Sequence, residues 1–158
     1  MRILAIDPGN IESAYVLVDE NYNIIDKGKV NNEAMLTIVE FMLYEELAIE
    51  MIASYGMPVG KEVFDTCVWI GRFWQTSNAV QKSYVYRKDE KMNLCNSMKA
   101  KDANIRQALI DRFAMHDFKN GKGTKKNPDW FYEFKADMWA AYAVAVTYLD
   151  RKKAGETE

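Results

Sequence analysis

The sequence predicts an α/β fold in which a mixed five-stranded sheet is flanked by helices. Strand-like and helix-like stretches alternate after an opening group of three strands, which is typical of a sheet with both antiparallel and parallel pairs. The apolar run Ile3-Leu4-Ala5-Ile6 ends at Asp7 and is followed by Pro8-Gly9, which indicates a buried strand closed by a tight turn. The 158 residues suit one domain, which we place at 1–151 before a frayed tail at 152–158.

The first half of the chain is predicted to form four strands and two helices. The strands are expected at 2–7, 13–18, 24–30 and 46–50, and the helices at 31–44 and 61–77. The polar turn at 19–21 favours an antiparallel meander of the first three strands. A strand reached through a helix favours a parallel crossover, which places the fourth strand beside the first.

The second half is predicted to be richer in helix and in basic residues. We expect a short strand at 83–86, an irregular basic stretch at 87–101, a helix at 102–113, a flexible basic loop at 119–128 and a final helix at 128–151. The apolar stripe of the helix at 61–77 is wide enough for burial on two sides. One side is therefore a candidate dimer contact, and packing within the core alone is the alternative.

Charge is distributed unevenly along a chain whose net charge is −2. Residues 1–65 contain 4 Lys or Arg against 12 Asp or Glu, whereas residues 66–158 contain 17 against 11. Such asymmetry can place a positive face beside an acidic centre. Cys67 and Cys95 are expected to be reduced thiols. Because the sequence has neither a membrane-spanning stretch nor a secretory signal, we expect a cytoplasmic protein.

Three acidic residues occupy otherwise apolar settings. Asp7 and Glu50 end two strands that this topology makes parallel neighbours, and Asp137 lies on the final helix four residues after Glu133. Mg²⁺ prefers oxygen ligands, and two ions about 4 Å apart can cleave a phosphodiester. These four acids are therefore candidate metal ligands and catalytic residues. Each also has an ordinary alternative, which is a turn cap for Asp7 and a surface position for the others.

The residues around these acids resemble a known family. The stretch Ile3-Leu4-Ala5-Ile6-Asp7-Pro8-Gly9, followed by Ser13-Ala14-Tyr15-Val16, resembles the start of the RuvC family of Holliday-junction resolvases. Ala48-Ile49-Glu50 resembles its second acidic strand end, and Lys135-Ala136-Asp137 resembles the start of its C-terminal helix. Element order and length look closest to phage-type members.

This resemblance implies an RNase H-like nuclease domain, a homodimer, and paired nicks across a four-way DNA junction with Mg²⁺, for which Mn²⁺ can substitute. It implies that Asp7, Glu50 and Asp137 are metal ligands. The family usually has an Asp or His three residues before the last acid, where this chain has Phe134, and we expect Glu133 to substitute for it. A bacteriophage protein of this family would act in the host cytoplasm, in DNA recombination and repair.

Branched DNA, the expected partner, would be bound by two groups of basic residues. The candidate phosphate-binding residues are Arg87, Lys88, Lys91, Lys99, Lys101, Lys119, Lys122, Lys125 and Lys126. A merely solvated surface is the alternative for both groups. Tyr55, in the loop after Glu50, is a candidate to stack on an unpaired base. His116 is expected to be a surface or structural residue.

Three functions can be weighed against one another. The leading hypothesis is a metal-dependent endonuclease for branched DNA. The second is a catalytically weak protein of the same fold that binds junctions, an alternative kept open by Phe134. The third is nucleotide binding of the sugar-kinase or actin type, which also begins with a strand, Asp and Gly but needs a chain on the order of twice this length.

Overall fold

The computed structural model describes residues 1–155, which form one five-stranded sheet and five helices. The strands are β1 (Arg2–Asp7), β2 (Glu12–Asp19), β3 (Ile24–Asn31), β4 (Glu46–Met51) and β5 (Gln81–Tyr86). The helices are α1 (Asn32–Phe41), α2 (Lys61–Thr76), α3 (Arg87–Cys95), α4 (Asp102–Phe113) and α5 (Met138–Lys153). Among these residues, no helix has the length and apolar character needed to cross a membrane.

The sheet is mixed, as the sequence predicted, with the strand order β3-β2-β1-β4-β5. The first three strands pair antiparallel, and β4 pairs parallel with both β1 and β5. β1 and β4 are central and almost wholly buried. β3 forms one edge and carries the charged residues Asp26, Lys27 and Lys29.

Two apolar layers cover the two faces of the sheet. Alternate residues of β1 point to opposite faces, so Ile3 and Ala5 pack against α5, whereas Leu4 and Ile6 pack on the side of α1 and α2. All of the twelve positions of α5 from Met138 to Leu149 are buried except Ala140. The helix that follows Asp137 is therefore fixed firmly against the strand that ends at Asp7.

The stretch at 87–101 is not irregular, because α3 occupies its first nine residues. Glu90 is the one buried residue of this helix. The sequence therefore lacks the apolar periodicity from which the helix could have been predicted. The Asp89 carboxylate accepts the backbone N–H of Tyr86 at 3.3 Å and supports the first turn. Asn96, in a left-handed conformation with φ 51°, ends the helix.

The final helix begins at Met138 rather than at 128. Glu133 and Ala136 have φ of 66° and 49°, which is incompatible with a continuous right-handed helix. Phe131 and Phe134 are instead turned into the aromatic core. At its other end α5 continues to Lys153, two residues into the predicted tail, and residues 156–158 lie outside the described part of the chain.

The basic loop at 119–128 is anchored rather than flexible. Asp129 accepts four backbone N–H groups, from Met115, His116, Asp117 and Trp130, at 2.6–2.9 Å. Burial alone would raise the pKa of Asp129, but these donors outweigh burial and hold the pKa below its usual range. Two aspartates therefore shape the loop, since Asp117 also accepts the N–H groups of Asn120, Lys122 and Gly123.

Candidate metal and nucleic-acid site

Asp7 and Glu50 meet at one edge of the sheet because they end adjacent parallel strands. Ile6 pairs with Ile49, which places the two acids side by side, and their carboxyl groups lie close enough to share a hydrogen bond. Ser13, through its hydroxyl, accepts the Gly9 N–H at 3.1 Å and so caps the turn after β1. Ser13 therefore caps this turn, which is the structural role that the sequence offered as the alternative for Asp7.

Glu90 joins this pair and was missed from the sequence. It lies in the first turn of α3, directly after β5, and its side chain is fully buried beside the Glu50 carboxyl. Arg87 donates to its Oε1 at 3.2 Å, whereas apart from the neighbouring Glu50 carboxyl its Oε2 has no hydrogen-bond partner within residues 1–155. An acid four residues past the end of a third parallel strand was the signal that could have identified it.

The three buried carboxyls strongly perturb one another. Burial, followed by the Glu50 carboxyl, raises the pKa of Asp7 to about 9. Burial, followed by repulsion from Glu90, raises the pKa of Glu50 to about 8, and burial raises that of Glu90 to about 7. Arg87 opposes all three shifts. Without a further cation, the cluster therefore holds protons near neutral pH.

Asp137 lies at the N-terminal end of α5, near enough to Asp7 to raise its pKa. Its carboxylate is half-exposed and accepts from Lys29 Nζ at 2.7 Å. Lys29 projects from β3, two strands away from β1 in the sheet. The predicted acids Asp7, Glu50 and Asp137 thus converge from three elements, with Lys29 bound to the most exposed of them.

Glu133 is not brought to this cluster. It is exposed, in a left-handed turn before α5, and no contact within residues 1–155 links it to the other acids. The expected helical spacing between Glu133 and Asp137 does not exist because the helix begins one residue after Asp137. Its neighbour Phe134 is buried among Phe131, Trp139 and Tyr142, so this position serves the core.

The donor chemistry of the site fits a hard divalent cation. Several carboxylates are gathered with one guanidinium, and the buried Oε2 of Glu90 lacks a donor. Within the described chain, no three acid, His or Cys side chains are already arranged as a metal cage. The carboxyls contact one another, and Asp137 is bound to Lys29. Ion binding would therefore require the side chains to exchange these contacts for metal contacts.

A basic groove leads away from the acids. A cavity of about 190 Å³ is lined by Arg87, Asp102, Arg106, Asp137 and Trp139, among others. A second cavity, of about 590 Å³, shares Asp102, Arg106 and Trp139 with the first and continues to Lys119 and Lys122. The Arg106 guanidinium lies 5.1 Å from the centroid of the Trp139 ring. Arg106 was missed because the helix pattern of α4 gave it no distinguishing neighbours.

The other predicted DNA contacts are more dispersed. Arg87 faces inward and binds Glu90 and Asp102, and Tyr55 is 69% exposed beside a cavity shared with Glu50 and Arg87. The exposed lysines are Lys88, Lys99, Lys101, Lys125 and Lys126, whereas Lys91 is half-buried. His116 lies against the loop carbonyl of Pro128 at 3.3 Å, a structural position as expected.

Helix α2 presents apolar side chains on two sides. Ile70 and Phe73 are buried against the sheet, whereas Phe64 and Val68 are each 61% exposed. Trp69 and Trp74 are half-buried between these sides. The wide stripe predicted from the sequence therefore includes an apolar face that this chain leaves uncovered.

Comparisons with known proteins identify solved structures with a similar fold. No family model and no curated protein matches the chain. The solved structure of Thermus thermophilus RuvC is similar, with a TM-score of 0.70 and 13% identity over 99% of this chain and 98% of that one. The structure of T. thermophilus RuvC in complex with Holliday junction substrate is also similar. Its TM-score is 0.73, with 12% identity over 99% of this chain and 97% of that one. The likeness shows that the chain has the RuvC-type, RNase H-like fold.

Proposed function

We propose that this protein is a metal-dependent, structure-selective endonuclease that nicks four-way and other branched DNA junctions. The observation that carries this proposal is the convergence of Asp7, Glu50 and Asp137 at one sheet edge, from β1, β4 and the start of α5. Acids that converge from separate elements can surround a cation from several directions. The RuvC-type fold, found in a structure bound to Holliday junction substrate, supports the choice of DNA.

Asp7, Glu50 and Asp137 would hold Mg²⁺, with Mn²⁺ able to substitute. When bound, two such ions would supply an activated water and stabilise the leaving oxygen of phosphodiester hydrolysis. The protein's own contribution is to hold carboxylates at a half-buried edge and to orient the substrate strand. Asp137 must leave Lys29 for this role, and Lys29 is then free to face a phosphate.

The basic groove would hold one strand of the junction. Arg106, Lys119 and Lys122 line a path that begins at Asp137, so a backbone bound along it approaches the acids. Tyr55 lines a cavity together with Glu50 and presents an exposed ring for an unpaired base. The two surfaces together would position a branch point over the carboxylates.

A homodimer matches the two-fold symmetry of a four-way junction, since each subunit can nick one of two equivalent strands. We assign the dimer contact to the exposed side of α2 around Phe64 and Val68. The protein would act as a single nuclease domain of the phage type, in DNA recombination and repair within the host cytoplasm.

A second function, junction binding without cleavage, is favoured by one observation. Phe134 is buried in the aromatic core at the position where the RuvC resemblance implies an acid or His. If Asp7, Glu50 and Asp137 cannot hold the ions alone, the same groove would still bind branched DNA.

A gel assay separates these two functions. Purified protein is incubated with a synthetic four-way junction, a fork and a linear duplex, with Mg²⁺, Mn²⁺ or EDTA. We expect metal-dependent nicking of the branched substrates, and at least about a 100-fold lower rate for Asp7→Asn, since even outer partners of a metal site contribute 10–100-fold. Binding without nicking in either metal would favour the second function, and full activity of Asp7→Asn would contradict the first.

A further inference from the structure

We propose that Glu90 is a metal ligand of this site and supplies the carboxylate that neither Phe134 nor Glu133 provides. This inference rests on the proposed function in that it assumes the same divalent cation. It goes further by adding a residue from a fourth element, α3, to a set drawn from β1, β4 and α5.

The Glu90 side chain is fully buried, and apart from the neighbouring Glu50 carboxyl its Oε2 has no hydrogen-bond partner within residues 1–155. Buried carboxylate oxygens in proteins are almost always paired, because an unpaired one loses its hydration without compensation. A purely structural glutamate would be satisfied here by a second donor. The Glu90 carboxyl is adjacent to the Glu50 carboxyl, which places it where a cation bound by Glu50 would lie.

The position of Glu90 follows from the parallel pairing of β4 with β5. Glu50 pairs with Val85, so the chain leaves β5 at the same sheet edge and begins α3 there. The first turn of α3 then brings Glu90 over the end of β4. Parallel neighbouring strands end at the same sheet edge, which brings Asp7 and Glu50 together. The parallel strand β5 brings Glu90 to that edge for the same reason.

The charges of the carboxylates around Glu90 also favour a bound divalent cation. Asp7, Glu50 and Glu90 face a single guanidinium, that of Arg87, which also binds the exposed Asp102, while Asp137 has its own partner in Lys29. Three ionised carboxylates with one guanidinium leave two uncompensated negative charges. The first divalent ion to bind would neutralise them and remove the need for shared protons.

The test is Mn²⁺ binding by the full chain, measured by titration calorimetry without DNA and again by the rise in melting temperature on adding Mn²⁺. The variant is Glu90→Gln, which keeps shape and removes charge. We expect its Mn²⁺ affinity to fall by about 10–100-fold. The matched control is Glu46→Gln, a buried glutamate at the opposite end of β4 that binds Lys152 and Tyr148. Its Mn²⁺ affinity should stay within about twofold of the original.

Unchanged Mn²⁺ affinity in Glu90→Gln would overturn the inference while leaving the nuclease proposal intact. Mn²⁺ binding that depends on Glu90, in a protein that never nicks junctions, would support the inference and refute the nuclease. If Glu90→Gln does not fold, Glu90→Asp is measured instead, because it keeps the charge but withdraws the carboxylate by one methylene. Reduced Mn²⁺ affinity in Glu90→Asp supports the inference, and unchanged affinity overturns it.

Discussion

The carboxyl group of Asp7 is buried beside Glu50, so its protonation is coupled to folding. Its pKa is about 9 in the folded protein and near 3.8 when the chain is unfolded. The folded state therefore binds more protons than the unfolded state between these values, and the free energy of unfolding falls as pH rises. Glu50 and Glu90, with pKa values of about 8 and 7, act in the same direction.

We predict that Asp7→Asn stabilises the metal-free protein much more at pH 9 than at pH 5. At pH 5 the Asp7 carboxyl is already protonated in the folded state, whereas at pH 9 about half of it carries an unfavourable charge. The expected gain at pH 9 is on the order of 5 °C in melting temperature. Thermal melts in EDTA at the two pH values measure it, and a difference that does not change with pH would show that Asp7 is solvated.

Individual residues also show where sequence reasoning stops. The contact between Asp7 and Glu50 was predictable, because one apolar strand and one crossover fix both positions. Glu90 was not, since its burial depends on how α3 packs and α3 has no apolar stripe. Glu133 was misplaced because its left-handed backbone, with φ of 66°, gives no signal in the sequence.

At the scale of elements, α2 has two apolar sides but only one is covered. Phe64 and Val68 lie one turn apart on the exposed side. We predict that the double substitution Phe64→Glu and Val68→Glu converts a dimer into the 18.3 kDa monomer without lowering thermal stability, because neither side chain contributes to the core. Sedimentation velocity measures the mass, and Gln75→Glu on the same helix is the control. A double variant that remains dimeric would place the interface elsewhere.

The boundaries of α5 depend on interactions that a linear pattern does not contain. The stretch before Met138 has apolar residues at helix-like spacing, yet Phe131 and Phe134 pack edge-on with the rings of α5. This packing needs the left-handed turns at Glu133 and Ala136. The bounds of α2, which connects β4 to β5, were predicted more closely. This helix begins at the expected residue and ends one residue early.

At the scale of the whole molecule, the uneven charge of the chain becomes a groove beside an acidic edge. We predict that the double substitution Arg106→Ala and Lys122→Ala weakens junction binding and reduces the slope of log affinity against log salt by about 2, one for each lost phosphate contact. Filter binding in EDTA across a salt series measures the slope.

The control removes the same number of positive charges far from the groove. Lys61→Ala and Lys153→Ala lie on α2 and at the end of α5, and the slope should change by less than about 0.5. Equal losses in both double variants would mean that binding follows net charge and not the groove.

The sheet order was the most predictable feature of the molecule as a whole. Three strands in succession followed by a crossover leave few arrangements that avoid crossed connections. The groove was not predictable, because it depends on the way Asp117 and Asp129 fold the loop at 119–128 against α4. Lysines that seemed equivalent in the sequence were thereby separated into those that line the groove and those that do not.

The charged residues of β3 have a consequence for the behaviour of the protein at high concentration. An outer strand exposes unpaired peptide groups to which a strand from a neighbouring molecule could add. Asp26, Lys27 and Lys29 lie along that margin, and charged side chains on an edge strand, lysine above all, oppose such pairing. Self-association through strand addition is therefore opposed, in keeping with the proposed dimer contact on the apolar side of α2.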